Sequence, residues 1–293
     1  MKRNISLHKS SLCGIRPQNE DVERYNLNLS IKGESFDPAY AAVDFFAVCD
    51  GHGGSEVSKF VTPLLEKYLM RKDLQFPLPM SYINKVYSQI QQEVVQHPKK
   101  IGAACGSTAL VMLRYLDRDY RCNVQIINLG DCRAILSRKG LPIPLSKDHK
   151  PYWPDEKRRI DKVNQKYGTN IQVSFSEGDW RIGDLSVSRS FGDLDNAPFI
   201  SHYPDAFNYR LESNDEFIVL SCDGLTDVME NHEIVNFIRD NVTHNHLEMY
   251  EIPGKYPSKE VVVHHNVARK LAEYALACDS GDNVSVLIIF LNN

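Results

Sequence analysis

Apolar residues along the chain follow two kinds of spacing. Short runs, Val43 to Cys49 (VDFFAVC), Val124 to Leu129 (VQIINL), Phe217 to Cys222 (FIVLSC) and Val284 to Leu291 (VSVLIIFL), are rich in β-branched and aromatic side chains and end near Gly or Asp. That pattern predicts buried strands. Between the first two runs the spacing changes: Val57, Phe60, Val61, Leu64, Leu65 and Tyr68, then Ile83, Val86, Tyr87, Ile90 and Val94, recur at steps of three and four. Each set places one apolar stripe on a helix. Further helices are expected over 154–167, where Pro154 suits a first turn, over 227–241 and over 259–278. Strands come in clusters instead of alternating singly with helices, which favours strand layers covered by helices over a doubly wound parallel sheet.

Two stretches lack either period. Lys166 to Gly183 is expected to form a surface flap, and Thr243 to Pro257, with His244, His246, Pro253 and Gly254, a second loop. No repeat or long linker divides the chain, so a single domain over 1–293 is expected, with irregular insertions near 166–183 and 243–257.

Composition narrows the class. At 293 residues and 42% hydrophobic content the chain is too apolar for disorder. A chain of this size buries about 75% of the surface its unfolded form exposes. Lys and Arg number 34 against 38 Asp and Glu, a formal charge of −4, so neither nucleic acid nor a membrane surface is expected as a partner. No run approaches the roughly 18 apolar residues of a membrane span. The seven Cys (13, 49, 105, 122, 132, 222 and 278) show no CxxC pair and nothing upstream resembles an export signal, so reduced thiols in a cytoplasmic or nuclear protein, and a monomer, are expected.

The candidate chemistry lies where the apolar runs end. Asp50-Gly51 follows the first, Gly130-Asp131 the second, Asp223-Gly224 the third, and Gly281-Asp282-Asn283 precedes the fourth. Any one such pair is an ordinary turn. Together with Glu20-Asp21 they mean more if the strand ends converge, because two carboxylates about 4 Å apart repel by about 4 kcal/mol at an effective dielectric near 20. Such clustering requires cations, and hard oxygen donors select Mg²⁺ or Mn²⁺. His52 adds a titratable group two residues beyond Asp50, between glycines. Arg16, four residues before Glu20, is able to grip an anion bidentately. Read singly, the first is as readily an exposed loop histidine and the second a surface arginine.

Taken in order, these residues resemble the metal-dependent protein Ser/Thr phosphatases of type 2C. The strings are Gly14-Ile-Arg16-Pro-Gln-Asn19-Glu20-Asp21, Phe46-Ala-Val-Cys-Asp50-Gly-His52-Gly-Gly54, Gly106-Ser-Thr108-Ala and Asn128-Leu-Gly130-Asp131-Cys-Arg133-Ala. They continue as Asp148-His-Lys-Pro151, Leu185-Ser-Val-Ser188-Arg-Ser-Phe-Gly192-Asp193, Asp223-Gly-Leu-Thr-Asp227-Val and Asp282-Asn283-Val-Ser285. The resemblance implies an α+β fold, a central sandwich of two antiparallel sheets flanked by α-helices in α-β-β-α layers. It also implies two Mg²⁺ or Mn²⁺ ions in a cleft at one end, and a weaker third. By that resemblance Asp50 would bridge the ions, Asp223 and Asp282 would hold one, and Glu20 with the Gly51 carbonyl the other. Asp21 would act directly or through water, Asp131 with Asp223 would serve the third position, and Asn283 would support the cluster. Arg16 would bind the substrate phosphate, and His52 would protonate the leaving Ser or Thr oxygen after in-line attack by a metal-bridging water on a phosphoprotein. The chain departs from the family's pattern at Thr226, Asp279 and Gly168-Thr169-Asn170, none of them an expected ligand.

Rival readings are weaker. Cys132 to Arg138 has Cys-x5-Arg spacing but none of the glycines of a phosphate-cradling loop. Asn231-His232-Glu233 lacks the companion Asp and His strings of the other metallophosphatases, and no basic groove interleaved with aromatics suggests a nuclease. A catalytically silent relative acting as a scaffold is the alternative from another class. It would be expected to have lost Asp50, Asp223 or Asp282, and all three are present.

Overall fold

The run Val43–Cys49 is buried along its whole length, and its neighbours explain why, apart from the ion-paired Asp44, only apolar residues occupy its two faces. Phe45 and Ala47 pack towards one pair of helices, while Phe46 and Val48 pack towards a second sheet. A strand with both faces covered needs side chains that are apolar or fully paired at every position, so the period-2 signal disappears from the sequence. The computed structural model describes residues 5–29, 43–71, 73–176, 178–242, 250–251, 259–260 and 267–291.

In chain order the elements begin with β1 (Ile5–Leu12), β2 (Val22–Asn26), β3 (Val43–Cys49) and β4 (Gly51–His52), then α1 (Glu56–Leu69) and α2 (Met80–Val95). There follow β5 (Gly106–Ser107), β6 (Ala109–Leu116), β7 (Cys122–Leu129), β8 (Arg133–Arg138), β9 (Leu141–Pro144), α3 (Pro154–Tyr167), β10 (Val173–Ser176) and β11 (Asp179–Ile182). The chain goes on through β12 (Phe191–Gly192), β13 (Asp205–Arg210), β14 (Asp215–Ser221), α4 (Asp223–Thr226) and α5 (Asn231–Asn241). It closes with β15 (Tyr250–Glu251), β16 (Lys259–Glu260), α6 (Val267–Ala277) and β17 (Val284–Leu291).

Two five-stranded sheets, ordered β1-β17-β14-β8-β9 and β13-β7-β6-β3-β2, pair antiparallel throughout. Between them lies a core of Phe46, Leu110, Met112, Ile126, Ile218, Leu220, Leu287 and Ile289. The stripe of α1 and α2 (Val57, Val61, Leu65, Ile83, Tyr87, Ile90) covers one outer face. Ile234, Val235 and Ile238 of α5 and Leu271 and Ala272 of α6 cover the other. The fold is therefore the α-β-β-α sandwich. Each fully buried Leu, Ile or Phe contributes about 1.5–3 kcal/mol, so the three layers of contact dominate stability.

Register decides where the site forms. Val22 pairs with Cys49 and Ala109 with Leu129 in one sheet, and Leu12 with Val284 and Ser221 with Arg133 in the other. The residues just beyond these pairs therefore emerge at the same end of the sandwich. The segment from Cys13 to Asp21 crosses from one sheet to the other there, since β1 and β2 belong to different sheets.

Several expectations need correction. The helix expected over 227–241 starts only at Asn231, as α5, because Glu230 and Glu233 form a reciprocal capping box there; the short α4 (Asp223–Thr226) lies ahead of the expected range. Of the helix expected over 259–278, the described residues show α6 over Val267–Ala277, while Lys259–Glu260 pairs as a strand with Tyr250–Glu251. Lys166 to Gly183 is not irregular: α3 runs to Tyr167, Gly168 caps it at φ 65°, and β10 and β11 form a hairpin. Of the second expected insertion, 243–257, only Tyr250–Glu251 lies within the described residues.

Far from the converging ends, Asp44 and Arg114 face each other across β3 and β6 with fully buried side chains. Asp44 accepts from the Arg114 Nε–H at 2.7 Å and from the Leu29 N–H at 2.7 Å. Removing one partner of a buried ion pair strands the other charge. Asp44→Ala is expected to lower the free energy of unfolding by about 3–5 kcal/mol, with Asp44→Ala/Arg114→Leu recovering part of the loss in urea titrations. A double variant no more stable than the single one would contradict this account.

Candidate active site

Where the strand ends converge, a cleft of about 270 Å³ is lined by Arg16, Glu20, Asp50, Asp131, Asp223 and Asp282, together with Gly51, His52, Arg181 and the segment Asp184–Val187. All the expected site residues except Asp21 line it directly. Asp21 lies buried beneath, its carboxylate with that of Asp50 and the Cys222 thiol within 4.8 Å of one another.

Backbone contacts hold the ligand candidates in place. The Asp50 N–H donates to Thr108 Oγ1 at 2.9 Å, and the Asp50 carbonyl accepts from the Thr108 N–H at 2.8 Å. Ser58 Oγ donates to the Glu20 carbonyl at 2.6 Å. A Cβ at position 51 would lie 2.5 Å from that same carbonyl oxygen, so only glycine lets Glu20 and Gly51 sit side by side. Asn283 ties the crossover to the start of β17: its Oδ1 accepts from the Glu20 N–H at 2.8 Å, and its Nδ2 donates to the carbonyls of Cys13 at 2.9 Å and Gln18 at 3.1 Å. Arg16 donates through Nη2 to Asp282 at 2.8 Å and through Nε to the Gly281 carbonyl at 3.1 Å. Half of its side chain stays exposed at the cleft.

The electrostatics call for cations. Burial raises the Asp21 carboxyl to about 6, and burial followed by the charges of neighbouring carboxylates pushes Asp50 and Asp223 well above their ordinary range. Neither Asp21 oxygen receives a hydrogen bond of good geometry, although Ser285 and Cys222 lie near enough to favour its charged form. The buried Asp21 carboxylate, with both oxygens unfilled, joined by Asp50, Glu20, Asp223 and Asp282, fits Mg²⁺ or Mn²⁺. Cys222 does not belong to that donor set. Burial and the adjacent carboxylates keep its thiol protonated, and its Sγ accepts from the Ser285 N–H at 3.1 Å while donating to the Asn283 carbonyl at 3.3 Å.

The Asp131 end is different. The Lys150 ammonium lies 2.6 Å from Asp131 Oδ2 and 3.8 Å from both Asp223 Oδ2 and Asp179 Oδ2. Burial alone would lower the Lys150 pKa, but Asp131, Asp223 and Asp227 outweigh it and raise it. The position expected for a weaker third ion is thus faced by an ammonium, and these residues do not fit a further cation as they stand.

His52 Nε2 lies 2.8 and 2.9 Å from the two carboxylate oxygens of Asp193, which also accepts the Ser190 hydroxyl. A three-stranded ladder, β12-β5-β4, brings them together, with His52 opposite Gly106 and Gly106 opposite Gly192. A Cβ on Gly106 would come within 2.3 Å of His52 Nε2 and 2.2 Å of Asp193 Oδ2, so this crossing point requires glycine. Burial acts to lower the His52 pKa, but the hydrogen bond and charge of Asp193, with Asp131 and Glu20 behind, raise it. Asp193, Thr108, Lys150 and Asp227 all stand inside the recurring strings, yet nothing in their spacing reveals which partner each one meets. Cys132 is fully buried at the head of β8, in no position to act as a nucleophile.

The family model described as Protein phosphatase 2C matches residues 5–284. A PP2C-like domain-containing protein of Acanthamoeba polyphaga mimivirus is 62% identical over 177 residues, 60% of this chain and 99% of that protein. A probable protein phosphatase 2C of Arabidopsis thaliana is 29% identical over 277 residues, 88% of this chain, which spans 58% of the plant protein's length. In fold, the chain is similar to the crystal structure of serine-threonine phosphatase 2C from Toxoplasma gondii, with a TM-score of 0.70 at 22% identity over 98% of this chain and 94% of that one.

Two outcomes follow from the site's electrostatics. The folded state holds the Asp21 proton more tightly than the unfolded chain, whose carboxyl titrates near 3.8. Metal-free protein therefore loses stability at this position as pH rises from about 4 through about 6. In EDTA, Asp21→Asn should gain on the wild type across that window by about 2–3 kcal/mol, measured by urea unfolding at stepped pH. A stability gap independent of pH would remove the burial argument. For Asp193→Asn, NMR of metal-free protein should find the His52 ring titrating at lower pH than in the wild type; an unchanged midpoint would show that Asp193 does not set it.

Proposed function

The chain belongs to the protein phosphatase 2C family, and from that membership we propose that it hydrolyses phosphoserine and phosphothreonine in proteins with two Mg²⁺ or Mn²⁺ ions in its cleft. The observation that carries this reading is the meeting of Asp21, Asp50, Glu20, Asp223 and Asp282 at one end of the sandwich, beside Arg16 and His52. Asp50 would serve both ions, Glu20 and the Gly51 carbonyl one, and Asp223 and Asp282 the other. When bound, the ions supply charge neutralisation for phosphate oxygens and activation of water.

The chain's own residues do the rest. One edge of the Arg16 guanidinium is anchored on Asp282 and Gly281, which leaves its remaining donors for a phosphate oxygen in a charge-assisted contact. His52, whose proton affinity Asp193 raises, would in its protonated form give its Nε2–H to that carboxylate and carry a second proton on Nδ1. That second proton is available to the leaving alkoxide of Ser or Thr, a poor leaving group that benefits from a general acid. The described cysteines are all free thiols, which suits a reducing compartment, the cytosol or nucleus.

Purified protein should release phosphate from a phosphothreonine peptide with Mn²⁺ and stop in EDTA. Asp223→Asn should lower turnover by more than about a hundredfold with an unchanged circular dichroism spectrum. Undiminished turnover in EDTA, or in that variant, would overturn the assignment.

A further inference from the structure

Lys150 is held in place by far more than its own flexible stem. The Gly130 N–H donates to His149 Nδ1 at 3.0 Å, and the His149 N–H donates to the Gly130 carbonyl at 2.9 Å. The turn carrying Lys150 is therefore bonded directly to the turn carrying Asp131. On its other side the His149 carbonyl accepts from the Ser188 N–H at 2.9 Å and from Ser188 Oγ at 2.8 Å. Asp148 is clamped by Arg133, with Nη2 at 2.6 Å. Only a tenth of the Lys150 side chain is exposed. An ammonium so placed has given up most of its hydration, and its charge is balanced by the Asp131 carboxylate in contact at 2.6 Å and by those of Asp179 and Asp223 at 3.8 Å.

We propose that Lys150 is a resident counter-ion that closes the Asp131 arm of the cleft to a divalent ion, so that only the ions beside Asp50 are exchangeable. The inference builds on the two-ion reading above. A divalent ion on Asp131 Oδ2 would sit about 2.0–2.2 Å from that oxygen, against an ammonium already 2.6 Å from it. Two cations do not share one carboxylate oxygen at such distances without the ammonium moving, and the double hydrogen bond between residues 130 and 149 opposes that movement. Asp179, on β11, extends the same contact to the flap hairpin. The ammonium therefore neutralises the arm and also draws the flap towards the cleft.

The test counts ions, not turnover. Wild type, Lys150→Gln, Asp131→Asn and the double variant are dialysed to equilibrium against increasing Mn²⁺, and bound metal is measured by atomic absorption. Lys150→Gln should bind one more ion per chain than the wild type, and the double variant should lose that ion again. Equal counts for wild type and Lys150→Gln would overturn the proposal. Should Lys150→Gln fail to fold, the wild type and Asp131→Asn decide the matter: equal counts support a closed arm, and an ion lost with Asp131→Asn overturns it. A wild type that binds no Mn²⁺ would sink the two-ion reading instead, while the difference between the variants would still judge Lys150.

Discussion

The constraint on which the rest of this structure depends is the repulsion among carboxylates gathered at one end of the sandwich. Burial first, and then the charges of neighbouring carboxylates, raise the proton affinity of Asp21, Asp50 and Asp223 on folding. A loop would relax by swinging such groups apart. Here they sit at or next to the ends of strands whose registers are locked by apolar packing on both faces, so the sandwich core holds the charges where local electrostatics would not. Stability in the layers and strain in the site are two sides of one arrangement.

The protein answers that repulsion in different ways along the cleft. Beside Asp50 the carboxylate oxygens are left open, a donor set suited to hard divalent ions. At Asp282 a half-exposed arginine supplies the balancing charge and stays accessible to an anion. At Asp131 a buried lysine supplies it. The formal −4 of the whole chain therefore hides a local excess that is partly neutralised from within, and the surface charge balance says little about the site.

Glycine marks the points where these parts approach closest. Gly51 lets the Glu20 carbonyl come beside it, and Gly106 admits the contact between His52 and Asp193. Asp279, where the family's pattern has glycine, occupies the left-handed region at φ 66°, so the departure keeps the backbone conformation at some cost in strain. The small ladder β12-β5-β4 matters out of proportion to its length, since it converts a loop histidine into one held by a buried acid.

What the sequence by itself determined was whatever depends on local spacing and on order along the chain. Short, mostly apolar runs announced buried strands, three- and four-residue stripes announced α1 and α2, and Asp-Gly pairs at strand ends marked the acidic site. The ordered strings identified the family. Boundaries failed where side-chain capping outweighed periodicity, as at Glu230, and where a hairpin without a strong apolar pattern formed over 173–182. Only the tertiary structure decided the pairings: His52 with Asp193, Glu20 with Asn283, Asp131 with Lys150. These partners lie on different elements and meet through strand register and packing, and such distances through space leave no period or spacing in a linear chain.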